Sequence, residues 1–417
     1  MKQTARIIST YSADVMGVCS ALFELGGMTV MHDASGCNST YTTHDEPRWF
    51  DMDSMVYISG ISEIEAIMGD DEKLINDIAD AAEVLKPAFI AIAGTPIPTM
   101  TGFDFEAVAS VIEQRTGIPS FGFPTTGMNT YIYGASMALA GIAERFVDEP
   151  SKGESAGSTL QMSPRRIMSV VENCCMRPNG IKVNILGLTP LDFSIIGQDE
   201  SIVQWLENEG FEVVSRWAMG SSLDEIRRSA EADVNLVVSA AGLGAADVLW
   251  RRFGTPYAVG LPVGDDLKAI LADTLKDLAE GRAEKSVTIC KDVTRDLFAG
   301  EEAAAKGPVV IIGEGVTSLA LASAIEFETG RNTKVLCATE PLGAVLRDKD
   351  RLTPDEDDII PELEDAACVI ADPMYKPIVP ESAAFVTLPS EAFSGRIYRE
   401  EITNLIEDFD QLLNKII

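Results

Sequence analysis

Residues 32 to 44 read HDASGCNSTYTTH and hold both histidines of the chain, His32 and His44, around one cysteine, Cys37. These residue types at this spacing fit three chemistries. A thiolate with imidazole neighbours can ligate a metal ion or an iron–sulfur cluster. A thiol beside a histidine base can act as a nucleophile. An ordinary loop needs neither. No GxSxG-like elbow surrounds Cys37, so the nucleophile reading lacks its usual signature. A cubane cluster needs further thiolates, and the chain offers none nearby. A symmetric dimer would bring two Cys37 residues together, with other ligands or a second subunit completing the site. On residue types alone this loop stays unassigned.

Two glycine-rich turns are the other places where chemistry could sit. VVIIGEGVTSLALASAIE places Gly313 and Gly315 after a strand, with Ser318 where a third glycine would stand. That is either a pyrophosphate-binding turn or the tight strand-to-helix turn that any doubly wound unit needs. No acidic residue ends the next strand, since KVLCATE reaches Glu340 only beyond it, and this favours the plain turn. VNLVVSAAGLGAADVLW places Ser239, Gly242 and Gly244 after another strand, where small residues would leave open space for a ligand. No GxxxxGK[ST] occurs, so the chain itself has no P-loop ATP site, and no HExxH supports zinc hydrolase chemistry.

The elements around these residues alternate. Apolar runs such as MTVMH, MVYIS, AFIAIAG, KVNILGL, VNLVVS, PVVIIGEG and ACVIAD are separated by helical periods such as DEKLINDIADAAEVLK and VTSLALASAIEFETG. Short continuous apolar runs between helices predict parallel sheets built from βαβ units. A polar Gly/Ser/Pro-rich stretch near residue 150 and a weaker seam near residue 290 divide the pattern. The expected organisation is an α/β unit over 1–150 carrying Cys37, a linker and helix over 151–179, a second Rossmann-like unit over 180–290, and a third over 291–417. The last stretch, YREEITNLIEDFDQLLNKI, reads as one helix that packs back on an earlier unit.

Composition narrows the partners. The 417 residues carry 33 Lys and Arg against 65 Asp and Glu, a formal charge of -32. So acidic a surface argues against nucleic acid and against an anionic membrane, and favours a partner that presents a basic patch. No long apolar leader or membrane span is read from the sequence. The seven cysteines, at 19, 37, 174, 175, 290, 337 and 368, form no CxxC pair, and the default is reduced thiols in the cytoplasm. Cys174 and Cys175 fall in a helix-like stretch and read as structural.

The order of these pieces resembles the component 1 family of nitrogenase and nitrogenase-like oxidoreductases along nearly the whole chain. In that family a CxxxG turn begins a helix, an HGxxGC loop follows, and a GGDxKL helix start comes later. Here ADVMGVCSALFELGGMTVMHDASGC keeps the cadence, with Gly17 and HDASGC in register, and MGDDEKLINDI matches the helix start from Gly69. The middle-unit segments VNILGLTPLDF, VNLVVSAAGLGAADVLWRRFGTPY and GLPVG resemble the family's second domain.

The resemblance implies three Rossmann-like domains and a [4Fe–4S] cluster held at a subunit interface. It also implies electrons delivered by a separate ATP-hydrolysing iron protein, and a partner that is either a second copy or a paralogous subunit. The family's first cluster cysteine aligns with Ala13 and its third with the Gly94–Pro96 turn, so Cys37 alone is kept, with Gly36 giving the backbone room. Cys19 is a substitute within reach but reads first as a helical core cysteine, and Asp14 and His32 are weaker candidates, since thiolate is the commoner cluster ligand. The cysteine that holds the iron–molybdenum cofactor aligns with Ser239, and the C-terminal region has no histidine. The resemblance therefore implies neither that cofactor nor dinitrogen reduction. Tetrapyrrole reductases are family members without it, and small residues around 240–246 would then face a flat substrate. The competing expectation is a scaffold or cofactor-binding member that has lost the cluster.

Overall fold

The computed structural model describes residues 6–7, 9, 13–34, 36, 38, 46–53, 55–149, 180–283, 285–293, 307–340 and 346–416. Cys37, His44, the Cys174–Cys175 pair and the expected linker lie outside the described residues.

The first unit contains α1 (Asp14–Leu22), β1 (Met28–His32), β2 (Met55–Ile58), α2 (Glu63–Met68), α3 (Asp71–Leu85), β3 (Ile90–Gly94), α4 (Pro96–Thr101), α5 (Phe105–Thr116), β4 (Ser120–Phe123) and α6 (Tyr131–Phe146). Its strands pair in the order β2-β1-β3-β4, all parallel. The second contains β5 (Ile181–Leu186), α7 (Pro190–Phe193), α8 (Gln198–Asn208), β6 (Phe211–Trp217), α9 (Leu223–Arg227), β7 (Val234–Val237), α10 (Leu243–Phe253), β8 (Tyr257–Val259), α11 (Asp265–Ala279) and β9 (Ser286–Thr288), with strand order β6-β5-β7-β8-β9. The third contains β10 (Val309–Gly313), α12 (Gly315–Thr329), β11 (Thr333–Cys337), β12 (Arg351–Leu352), β13 (Cys368–Ala371) and β14 (Ala384–Thr387), in the order β12-β11-β10-β13-β14. The α/β expectation of parallel sheets is met three times.

The sequence pattern explains the layering. β1 and β3 are buried along their whole length, because helices cover both faces of the first sheet. Met28, Val30, Ile90 and Ile92 face one way, into a core with Leu74, Ile75 and Ile78 of α3 and Phe105, Val108 and Ile112 of α5. Met31, Ala91 and Ala93 face the other way, into a core shared with α1, α6 and both remaining units. Every residue of α1 is buried, so this helix is an internal strut between units rather than a surface helix. Among the described residues no helix is long and apolar enough to cross a membrane.

Three local expectations need correction. The C-terminal stretch is not one helix: 3-10 turns run from Gly395 to Glu401, and only Phe409–Leu413 is α-helical. Its backbone is bonded elsewhere, with Leu405 N donating to Gln198 Oε1 at 3.2 Å and Lys268 Nζ donating to Ile406 O at 3.0 Å. These bonds pin the segment against α8 and α11, so it does pack back on an earlier unit. The stretch DEIRRSAEAD, whose spacing also predicts a full helix, gives only the short α9, followed by a 3-10 turn over Arg228–Glu231. Strands β9 and β12, with three and two residues, escape a search for apolar runs.

Candidate functional site

The register of the first sheet sets His32 directly beside Gly94. The Cys37 loop and the Gly94–Pro96 turn therefore leave the sheet side by side at its C-terminal edge. Both ends of the Cys37 loop are tied. The Thr95 hydroxyl lies 3.2 Å from the His32 carbonyl and 3.0 Å from Asp33 Oδ1, and Asn38 Nδ2 donates to Asp33 Oδ2 at 2.6 Å. The bond from Asp33 to Asn38 brackets residues 34 to 37. Among the described residues a Cβ on Gly36 would meet nothing within 4 Å, and Gly36 is exposed, so their packing does not require glycine there.

His32 is buried, with Nδ1 2.9 Å from Ser59 Oγ and its ring 4.4 Å from that of Phe103. Burial pushes its pKa down to about 4, against a smaller upward pull from Glu65. The imidazole is therefore neutral at physiological pH. Because the folded value lies below the unfolded one, the unfolded state binds the extra proton between the two values. Stability contributed by His32 is present above about pH 6.5 and is lost as the pH falls toward 4. In NMR titration the His32 ring resonance should move near pH 4, and movement near pH 6.5 would contradict the buried geometry. The ring forms one wall of a cleft with Ser59, Glu65, Lys73, Asp77 and Phe103.

The other ligand positions are filled by structural bonds. Ala13 forms an antiparallel bridge with Thr130 and brings no donor side chain. Asp14 is fully buried, and its carboxylate accepts from Gly127 N at 2.7 Å, Thr126 N at 3.0 Å and Asn129 Nδ2 at 3.0 Å. Cys19 is wholly buried in α1, and burial, with Glu46 adding to it, drives its thiol far above the ordinary range. A thiolate there is strongly disfavoured. Among the described residues no three His, Cys, Asp or Glu side chains converge to hold a metal ion. The described donors by themselves do not complete a cluster.

The second candidate region lies where the three sheets meet. Ser239 is buried and its hydroxyl is bonded to Gly187 O at 3.0 Å, while accepting from Ala241 N at 3.2 Å. The expectation that Gly242 and Gly244 leave open space is corrected. A Cβ on Gly242 would lie 2.6 Å from the Leu186 carbonyl group, and one on Gly244 would lie 2.6 Å from Ser136 O. These glycines admit neighbouring backbone rather than a ligand. The GEG turn is occupied as well: Glu314 caps its own helix through Thr317 N at 2.8 Å and accepts from Ala240 N at 3.0 Å. A carboxylate stands where a pyrophosphate would need free amides.

Polar groups that motif reading does not single out gather at this junction. Tyr131 OH donates to Asp192 Oδ1 in a short bond, and Thr189 Oγ1 lies 3.1 Å from Asp192 Oδ2. Glu340 accepts from the N–H of Thr130 at 2.9 Å and from its hydroxyl, at the N-terminus of α6. Burial, then the nearby Glu314, raises the Asp192 carboxyl, and burial raises Glu314 too. Cys337 is buried close by, its thiol pushed up to about 12 mainly by burial. Asp192, Gly313, Thr130 and Glu340 are partly buried at the rim of the junction, and Cys337 and Glu314 are buried within it. Only the acid between the two glycines of GEG hints at this cluster in the sequence.

Three parallel α/β sheets, with polar groups gathered where their strand ends meet, define the architecture. The family model for nitrogenase component 1 type oxidoreductases matches residues 14–362, and the chain belongs to that family. Relatives include a nitrogenase iron-molybdenum cofactor biosynthesis protein NifE of Methanosarcina barkeri, 26% identical over 48% of this chain and 40% of that protein. A light-independent protochlorophyllide reductase chain of Halorhodospira halophila is 27% identical over 36% of this chain and 29% of its own length. A solved structure of nitrogenase Cp1 at pH 5 superimposes with a TM-score of 0.61 at 15% identity, covering 100% of this chain and 90% of that one, which establishes the fold. The NifE proteins are matched over about two-fifths to half of their length.

Proposed function

We propose that this chain is a subunit of a nitrogenase-like reductase. In this reading it takes electrons from an ATP-dependent iron protein, through an iron–sulfur cluster ligated by Cys37 at a subunit interface, to a substrate other than dinitrogen. A tetrapyrrole is the leading substrate class. The supporting observation is the exposed face of α2, whose Glu65 and Ala66 share the cleft with His32. Ile64, Ile67 and Met68 of α2 are 74–75% exposed, and α2 has no buried residue. Asp70, Asp71 and Asp77 flank it on GDDEKL and the helix that follows. Apolar residues edged by carboxylates suit a partner with an apolar centre and a basic rim. A second copy of so acidic a chain would bring like charges there. Gly36 also fits, since packing within the described residues does not call for glycine and a bulky group outside the chain would.

The chain's own residues would position the loop rather than complete the ligand set. Asp33 and Asn38, which bracket Cys37 in the sequence, are tied to each other and to Thr95, and His32 at the start of the loop is neutral. A cluster, when bound, would supply one-electron transfer; in this reading its further ligands come from a second copy or a paralogous subunit. Anaerobic reconstitution with ferrous iron and sulfide should give about two to four irons per chain and a broad absorbance near about 400 nm. Cys37→Ala should lose both. Iron at background in the wild type would sink this reading.

The matches to cofactor biosynthesis proteins, together with the filled positions at Ala13 and Asp14, favour a second reading as a cofactor-binding scaffold. That reading expects ligand binding that Cys37→Ala leaves unchanged.

A further inference from the structure

Carboxylates bond across every seam between the three units at their common junction. Asp192 of the second unit accepts from Tyr131 of the first. Glu314 of the third accepts from Ala240 N of the second, at 3.0 Å. Glu340 of the third accepts from Thr130 of the first, at 2.9 Å from its N–H. All three follow the C-terminal ends of parallel strands, β5, β10 and β11, where an α/β protein exposes its ligand-facing surface.

We propose that Asp192, Glu314 and Glu340 form a three-way latch that holds the junction shut and loosens as the pH rises, opening the strand ends to solvent. The inference does not rest on the proposed activity, and its test reads opening rather than turnover.

The physical basis is the crowding of acids in one place. The groups facing Asp192 are Tyr131 of α6, the hydroxyls of Thr189 and Ser239, and Glu314 after β10. Asp14 lies on α1, which touches α7, but its carboxylate is tied to backbone amides and Asn129. Glu391, on the short helix Glu391–Ser394 that packs against α7, is neutralised by Arg399. No cation among these groups faces Asp192, so losing its proton places a second negative charge beside Glu314 in a poorly solvated space. The carboxyl is pushed up to about 7, and an opened junction would return it to the ordinary range near 4. Its proton is therefore held more tightly in the closed form. As pH rises between those values the closed form loses its advantage, and above the higher value the loss is complete.

Cys337, buried at the end of β11 next to Glu314 and Glu340, reports the opening. Its alkylation by iodoacetamide would be followed by peptide mass spectrometry and divided by the rate of a model thiol at the same pH. In the wild type the normalised rate should rise about tenfold between pH 6 and 8 and level off above that. Cys19, in the core on α1, should stay protected throughout. Asp192→Asn cannot ionise and should flatten the profile. Glu314→Gln removes part of what raises Asp192 and should move the rise to lower pH. A flat wild-type profile, Cys19 labelling in step with Cys337, or an unchanged rise in Asp192→Asn or Glu314→Gln would each overturn the latch. If Asp192→Asn does not fold, the wild-type profile, the Cys19 control and Glu314→Gln still decide it.

Discussion

Replacing Arg48 with methionine should destabilise the protein by about 3–5 kcal/mol, the range for removing one member of a buried ion pair. Arg48 is buried, and its guanidinium has partners on every side. Nε donates to Glu46 Oε1 at 2.6 Å, Nη1 to Glu24 Oε1 at 2.9 Å and Nη2 to Ser20 O at 2.8 Å, with Ala218 O 3.3 Å from Nη1. The Phe23 ring lies 4.8 Å away. Ser20, Phe23 and Glu24 belong to the end of α1 and the turn after it, and Ala218 follows β6, so one side chain ties the first unit to the second. Methionine fills much of the volume but leaves the Glu46 carboxylate inside with its cation gone. The penalty thus comes from desolvation more than from lost packing. Glu46→Gln on the same background should recover a substantial part of the loss, which a cavity effect would not allow. Lysine should rescue poorly, because one ammonium cannot reach the two carboxylates and two carbonyls that the planar fork spans. The midpoint of urea unfolding measures all of these variants. A loss below about 1 kcal/mol for Arg48→Met would show that the network contributes little.

Arg48 also marks how far the sequence could be read. In the linear sequence it is one arginine in THDEPRW, and nothing local shows that it meets residues 24 and 218. The sheets were legible because their information is local: a buried parallel strand must be an apolar run, and β1, β3, β5, β7, β10 and β13 are such runs. Strand β12 was invisible because two residues carry no period. The C-terminal helix was misread for a related reason. Its apolar spacing fits a helix, yet Gln198 and Lys268 compete for the backbone at 405 and 406, and only the folded chain brings them there. At the candidate site the same division holds. The Cys37 loop could be found from rare residue types and family register. The Asp192–Glu314–Glu340 junction could not, because each seam joins residues 61 to 210 positions apart. Gly242 and Gly244 show a residue type being read correctly as unusual and wrongly as open. Glycine permits close approach, and the approaching group here is backbone.

The same rule makes the second large effect predictable at Gly17 and Gly134, where α1 crosses α6. A Cβ on Gly134 would lie 1.8 Å from Asp14 O, and one on Gly17 would lie 1.9 Å from Tyr131 O. Each glycine faces the carbonyl at the start of the opposite helix, so the contact is reciprocal and neither obstacle is a side chain that could swing aside. Gly17 is also the position that keeps register with the family's CxxxG turn, and the crossing gives that glycine a physical reason. Gly134→Ala should therefore force the helices apart by an ångström or more. Overpacking of this kind costs about 1–3 kcal/mol, and a clash of backbone on both sides belongs at the upper end. The separation has a local consequence too. Asp14 and Tyr131 sit at the crossing, so moving α6 pulls the Tyr131 hydroxyl from Asp192 and should raise Cys337 labelling even at low pH. Gly141→Ala provides the control within the same helix. Its added Cβ would meet Phe123 at 3.2 Å, a ring edge that can shift slightly, and the gain in helix propensity of about 1 kcal/mol offsets the contact. Urea unfolding should thus show Gly134→Ala strongly destabilised and Gly141→Ala close to wild type. Equal effects at the two positions would mean that helix propensity, rather than the α1–α6 crossing, governs both.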